Sequence, residues 1–427
     1  ITQEVNAWKG DHDWFIGGPN LSTAELDDYE DLWYDILRYI KETSPQTEIT
    51  EMMNEPDLGK FRLNDNDAEN LWIRHARVVN RINNDLNLPN GTDGPALIAG
   101  GPSMISYFTL NVTGNRTTTK AEEWIDRVYE ADMASPGEDL KPKFYSYHMF
   151  PNAKQPSKVN DLVSTIRGFM SKPKYGNYWD NVPIWKSAYT DDKSQSTPAQ
   201  NISNPTASDM AQAAAGMAAT HYYMMNNNIE YGAMFAQSNY LSYFRSILLP
   251  EHINSGVPVT YYAPGRKTAM YNYYEMMNGV SGGRVDVSQN GGNKLNSSGH
   301  GVGNIATAGN NRAYIQGWNF QNNNLSSSKD ADVSYNLSNL TAAGIGNSES
   351  ASVNVYYIDD NTSNIAANPP NDDLEIVDSF TLSPGVNRQL DIRLPVNSLV
   401  LFEIIGNNDG GAGGDTNAPT VSLNQPV

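Results

Sequence analysis

From Ile1 to about Gly279, short apolar runs alternate with amphipathic stretches of helical period, and no other feature constrains the fold as tightly. A strand followed by a helix returns to the sheet parallel to its predecessor, so such a chain builds βαβ units. The strand candidates are Thr2-Gln-Glu-Val-Asn-Ala-Trp8, the run opening Glu48-Ile-Thr-Glu-Met-Met53, Ala96-Leu-Ile-Ala-Gly-Gly-Pro102, Lys143-Phe-Tyr-Ser-Tyr-His-Met-Phe150, Val182-Pro-Ile-Trp-Lys-Ser-Ala-Tyr189 and Glu230-Tyr-Gly-Ala-Met-Phe-Ala-Gln237.

Helices fill the gaps between them. Ser22-Thr-Ala-Glu25 reads as a capping box that opens a helix through about Lys41, with Leu26, Leu32, Trp33, Ile36, Leu37 and Ile40 on its buried face. Further helices are predicted over about 67–85, 121–131, 159–170, 208–226 and 266–277. The expected fold is therefore a (β/α)8 TIM barrel, or else an open six-stranded sheet. Because a barrel takes eight strands, the barrel reading implies that its first βα units lie outside this sequence.

After about Val280 the pattern switches to alternating strands between Asn, Gly and Ser turns, such as Arg284–Val287, Ala313–Phe320, Ser352–Ile358 and Ser398–Ile404. That is the signature of an all-β sandwich. The predicted domains are a catalytic barrel over 1–279, an accessory β-sandwich over 280–405, and a Gly/Asn-rich linker over 406–427. Ala418-Pro-Thr-Val-Ser-Leu423 would open a further module after that linker.

At 427 residues, two domains are the natural expectation. Cysteine is absent, so neither disulfides nor thiolate metal sites contribute. A net charge of −19 argues against nucleic acid and against an anionic membrane surface as partners. No apolar run is long enough for a transmembrane helix. A composition rich in Asn, Gly, Ser and Tyr suits a secreted protein that stacks on sugars and bonds their hydroxyls, and equally suits a polar, acidic, exported surface. A monomer is expected.

The chemistry centres on Asn54-Glu55-Pro56. Proline lacks an N–H and stops the strand ladder, which leaves Glu55 at a strand's C-terminal end. An acidic side chain so set between Asn and Pro resembles the acid/base of a large group of retaining glycosidases, and the resemblance implies that Asn54 bonds a sugar hydroxyl. Hydrolysis of a glycosidic bond with retention needs two carboxyl groups about 5–5.5 Å apart, one acid/base and one nucleophile. In a barrel both must stand at C-terminal strand ends. Glu55 suits the acid/base role.

These elements resemble the clan A retaining glycoside hydrolases. In that clan the seventh strand ends in an apolar–aromatic run, a small residue, Glu, then an aromatic. Here Trp185, Ser187 and Tyr189 match, but Ala188 stands where the nucleophilic Glu belongs. Three readings follow: an engineered nucleophile-to-Ala knockout, a natural sugar-binding pseudoenzyme, or an inverting enzyme that uses Asp191 or Asp192. Tyr145-Ser-Tyr-His148 resembles the sixth-strand motif whose His lines the subsite of the cleaved sugar. Pro264–Tyr274 resembles the last barrel helix of family 39-like enzymes, and Leu394–Phe402 the closing strand of their accessory sandwich.

Within the clan the layout most resembles glycoside hydrolase family 86, the β-agarases and β-porphyranases. The resemblance implies a secreted bacterial endo-enzyme that cleaves β-1,4-galactosidic bonds of agarose- or porphyran-type galactans, without a cofactor. A xylosidase-like exo-enzyme is the nearer rival. Candidate substrate-binding residues are Asn54, His148, Trp8, Tyr147, Trp185, Tyr189, Gln237 and Asn239, and Arg266 either contacts substrate or caps its helix. No metal site is expected: His12 with Asp11 and Asp13 reads as a solvated charge run, and neither Asp191-Asp192 nor Asp359-Asp360 has a visible ligand loop.

Overall fold

The structure is a computed structural model that describes residues 2–4, 22–52, 65–88, 94–104, 120–149, 156–189, 206–229, 232–234, 252–253, 257–258, 266–290, 294–321, 329–407 and 420–424. The chain forms two compact units. The first takes in Ile1–Met149, Asn160–Tyr189 and Asn227–Met234, and the second Phe150–Val159, Thr190–Asn226 and Phe235–Val427. Among the described residues, no helix is long and apolar enough to cross a membrane.

The first unit holds strands β1 (Thr2–Glu4), β2 (Ile49–Glu51), β3 (Ile98–Met104), β4 (Phe144–Met149), β5 (Ile184–Tyr189) and β6 (Gly232–Met234). Every pair is parallel, and the strands lie side by side in chain order. A doubly wound sheet reverses its strand order at a switch point; this one never does. With right-handed crossovers throughout, an unreversed order puts every helix on the same face, as in the wall of a (β/α)8 barrel. The intervening helices are α1 (Thr23–Thr43), α2 (Asp65–Asp85), α3 (Lys120–Ala134) and α4 (Lys158–Met170).

The predicted capping box opens α1. Ser22 Oγ accepts from the Glu25 amide at 3.3 Å, and Glu25 Oε2 accepts from the Ser22 amide at 2.7 Å. The buried stripe of α1 is Leu26, Tyr29, Trp33, Tyr34, Leu37 and Lys41. Lys41 was not expected there, because an ammonium is rarely buried unless paired. Its Nζ donates to the carbonyls of Pro45 at 2.5 Å, Thr47 at 2.8 Å and Pro95 at 2.6 Å, which pins the loops entering β2 and β3.

Aromatic edges join helices to sheet. Trp72 of α2 meets Trp124 of α3 at 5.6 Å between centroids, and Trp124 meets Tyr145 of β4 at 5.7 Å, both T-shaped. The Trp72 indole donates to the Leu140 carbonyl at 2.9 Å.

The second unit holds helices α5 (Ala207–Asn226) and α6 (Ala269–Asn278) and a short hairpin, β7 (His252–Ile253) with β8 (Val257–Pro258). The rest is β9 (Gly283–Val285), β10 (Val287–Asn290), β11 (Gly301–Gly309), β12 (Arg312–Phe320), β13 (Ala331–Ser338), β14 (Ala351–Ile358), β15 (Glu375–Leu382), β16 (Asn387–Leu394), β17 (Ser398–Gly406) and β18 (Thr420–Asn424). These form a six-stranded sheet, β15-β14-β17-β12-β11-β9, and a four-stranded one, β10-β18-β13-β16. Alternate residues such as Val333, Tyr335, Leu337, Val353, Val355, Phe402 and Ile404 build the core between them.

Two boundaries differ from the sequence reading. Helices α5 and α6 group with the sandwich, so the compact units do not divide at 279/280. Gln212 of α5 donates to the Gln321 carbonyl at 2.5 Å, Asn364 donates to the Ala207 carbonyl at 2.8 Å, and Asn272 of α6 donates to the Ser363 carbonyl at 2.8 Å. Helix coverage also explains why β12 is buried along nearly its whole length rather than alternating. In addition, Thr420–Asn424 does not open a separate module. It pairs with β10 and β13 inside the four-stranded sheet.

Candidate active site

Active sites of barrel enzymes form where strands end, here at the carboxyl ends of β2, β4 and β5. Strand alternation decides which side chains can reach that region. On β4, Tyr145 packs edge-on against Trp124 of α3, so the Tyr145 face is the helix-covered one. Tyr147 is two residues on, fully buried and on the same face. Burial also raises the pKa of its phenol, which stays neutral. Tyr147 is therefore a core residue, not the sugar contact expected.

Phe144, Ser146 and His148 occupy the opposite face. The Phe144 ring lies where a side chain on Gly100 would stand, 2.4 Å from that absent Cβ, so only glycine fits at that rung. Trp185, the second residue of β5, stacks on Phe144 with centroids 4.0 Å apart and an interplanar angle of 16°. It is 8 % exposed. Trp185 thus packs near the start of its strand, one layer below the strand ends, and is corrected from platform to core.

His148 does lie near the end of β4, with 2 % of its surface exposed. The register beside it is irregular: Tyr147 pairs with Lys186, but His148 pairs with Ala188. One extra residue, Ser187, is taken up on β5 at this step, the arrangement of a β-bulge. The bulge brings Ala188, rather than Ser187, level with His148. Tyr189 follows on the next rung, opposite Met149.

Two more features sit at the strand ends. Ser103 adopts a left-handed backbone, φ 55°, and its amide donates to Ser146 Oγ at 3.0 Å, which ties the end of β3 to β4. Non-glycine residues in that conformation concentrate near functional sites. Glu51, the last residue of β2, is 2 % exposed. Thr50 beside it faces the helices, where its Oγ1 lies 3.2 Å from His75 Nε2 of α2, so alternation puts Glu51 on the face of Phe144, Ser146 and His148. Sequence reasoning passed over Glu51 because Asn54-Glu55-Pro56, three residues on, was the sharper signal; a carboxylate at alternating period in an apolar run was the sign available.

Asn54, Glu55, Trp8, Gln237, Asn239, Asp191 and Asp192 lie outside the described residues. Elsewhere, Arg266 makes a two-pronged ion pair with Asp372, which raises its pKa further, so it is held within the second unit. Asp359 Oδ1 accepts from the amides of Asn361 at 2.7 Å and Thr362 at 2.8 Å, so it closes a turn. Among the described residues, no group of three His, Cys, Asp or Glu side chains is placed to hold a metal ion.

No protein-family model matches the chain, and no curated protein matches it. Solved structures do. A glucosidase from Croceicoccus marinus is 15 % identical with a TM-score of 0.58, over 92 % of this chain and 77 % of that one. A GH39 enzyme from Xanthomonas axonopodis pv. citri is 13 % identical with a TM-score of 0.57, over 90 % and 74 %. A bacterial orthologue of human α-L-iduronidase is 13 % identical with a TM-score of 0.62, over 91 % and 67 %. The fold is that of glycoside hydrolases built from a TIM barrel and a β-sandwich.

Proposed function

We propose that the chain is a secreted, monomeric, endo-acting glycoside hydrolase of the agarase or porphyranase type, lacking its nucleophile. Glu55 is the acid/base, Asn54 and His148 position the reacting sugar, and Ala188 occupies the place of the nucleophilic Glu. The observation that carries the reading is the bulged register of β5, which sets position 188 level with His148 at adjoining strand ends. A shared fold shows that the scaffold suits the chemistry and says nothing of the substrate.

In the complete enzyme a carboxylate at 188 would attack the anomeric carbon while Glu55 protonates the departing glycosidic oxygen. Glu55, now ionised, would then take a proton from water as that water displaces the enzyme from the sugar, giving net retention. With Ala188 the first displacement has no nucleophile and no glycosyl-enzyme forms for water to attack, so the chain binds glycan without cleaving it.

The test is hydrolysis of agarose and porphyran by the Ala188→Glu variant beside the unmodified chain. Cleavage gained by the variant, with NMR showing retained anomeric configuration, is expected. A variant inert on both polymers, beside an unmodified chain that binds them, would turn the reading to a binding protein. Activity in the unmodified chain would move the search to Asp191 and Asp192.

A further inference from the structure

The six-stranded sheet of the second unit has a short open stretch along one edge. β9 covers β11 only at Ala306–Ala308, opposite Val285, Arg284 and Gly283. The chain then passes through Asp286 into β10, which belongs to the other sheet. One isolated bridge, Lys294 to Val302, touches β11 again. Between these pairings, Gly303, Asn304 and Ile305 have no strand partner on that side among the described residues. The gap opens into a cavity of about 380 Å³, within the size range of small-molecule sites.

Its lining combines one aromatic ring with planar polar groups: Tyr222, Arg284, Asp286 and Asn304. Asn304 is 7 % exposed, yet its carboxamide has no hydrogen-bond partner among the described residues. Directly across the ladder is Gly317. The buried Tyr335 hydroxyl stands 1.9 Å from where a Gly317 Cβ would be, and it too has no partner among the described residues. Opposed residues share a face, so Asn304 lies on the Tyr335 side of the sheet. Of the two polar groups, the Tyr335 hydroxyl is the one fully buried without a partner among the described residues, which costs free energy until something bonds it.

At the rim, Arg284 donates to Asn226 Oδ1, and Asp286 is exposed with no ion-pair partner among the described residues. Tyr222 is held by an edge contact to Tyr223 at 5.2 Å and a tilted one to Trp318 at 5.8 Å. One positive and one negative side chain leave the cavity near neutral, which disfavours phosphate or a cation. Carboxylate and guanidinium each present paired hydrogen-bonding atoms, which match vicinal hydroxyls, and a tyrosine face packs on sugar C–H groups as on other apolar surface. Three residues of open edge are too few to align a peptide strand.

We propose that this notch is a saccharide-binding subsite of the second unit, which takes a pyranose unit of a neutral glycan, packs it on Tyr222 and bonds it through Asp286 and Arg284. It requires neither Glu55 nor position 188, so it stands whether or not the catalytic reading does.

The test uses the full chain with its isoleucine methyls labelled. Neoagarotetraose, xylotetraose and cellotetraose are titrated in turn, and the Ile305 methyl, assigned through Ile305→Leu, reports on the cavity. A saturable shift of that methyl with at least one probe is expected, weakened tenfold or more by Asp286→Ala and by Arg284→Met and unchanged by Asn54→Ala. Asp286→Ala and Arg284→Met each alter only an exposed side chain, so the fold survives the test. An Ile305 methyl unmoved by all three probes, or a shift that Asp286→Ala and Arg284→Met leave intact, overturns the subsite. Binding lost in Asn54→Ala but kept in Asp286→Ala would uphold the catalytic reading and refute this one.

Discussion

Lowering the pH should destabilise the first unit through His75. The imidazole is fully buried beneath β2. Thr50 Oγ1 donates to the Ile98 carbonyl at 3.1 Å, so the 3.2 Å contact with His75 requires Nε2–H as donor. Nδ1 is buried and has no partner among the described residues, so a second proton there would be a buried donor without an acceptor. Burial accordingly lowers the pKa from 6.5 to about 4.

The folded value lies below the unfolded one. Above pH 6.5 the ring is neutral in both states and contributes no pH dependence. Between there and about pH 4 the unfolded chain binds a proton that the folded chain refuses, so stability falls as pH falls. At roughly 1.4 kcal/mol per pKa unit the loss reaches about 3 kcal/mol by pH 4. Carboxylates titrate over the same range, so the assay must be differential. Urea unfolding of the unmodified chain and of His75→Gln is compared at pH 7.5 and pH 4. The packing cost of the substitution cancels between the two pH values, and His75→Gln should lose about 3 kcal/mol less than the parent on acidification. A difference below roughly 0.5 kcal/mol, or an NMR titration of His75 with its midpoint near 6.5, would refute the reasoning.

Three further outcomes are expected. Lys41→Met removes charge-assisted bonds to the three carbonyls of Pro45, Thr47 and Pro95; it should cost about 2–4 kcal/mol, read by urea unfolding. Gly317→Ala drives a methyl into the Tyr335 hydroxyl and should cost about 1–3 kcal/mol, much of it recovered in the Gly317→Ala, Tyr335→Phe double variant. Ser22→Ala breaks the capping box of α1 and should lower stability by about 1 kcal/mol, seen as a small drop in Tm.

Much of the fold was legible because the signals are local. The 3.6 and 2.0 periods are written into neighbouring residues, so α2 over Asp65–Asp85 and β4 over Phe144–Met149 fall where the patterns predict them. Ser22 and Glu25 carry the start of α1 in their own side chains. The site was legible only in part. A strand buried on both faces is apolar on both, so its period does not tell the helix-covered face from the other. That is why Tyr147 reads as a sugar contact and proves to be core; Trp185 stands on the other face but packs against Phe144 a layer below the strand ends.

By itself, then, the sequence determined the βαβα order, the switch to a sandwich, and the placing of His148 and Ala188 on neighbouring strands. Tertiary structure alone decided that a bulge at Ser187 sets Ala188 level with His148. It alone decided that Lys41 is buried, because its three carbonyl partners come from two separate loops. The capture of Thr420–Asn424 by β10 and β13, across a Gly-rich stretch, belongs with these. Each depends on which backbone groups remain to be satisfied once distant segments meet, and no local window of residues carries that information.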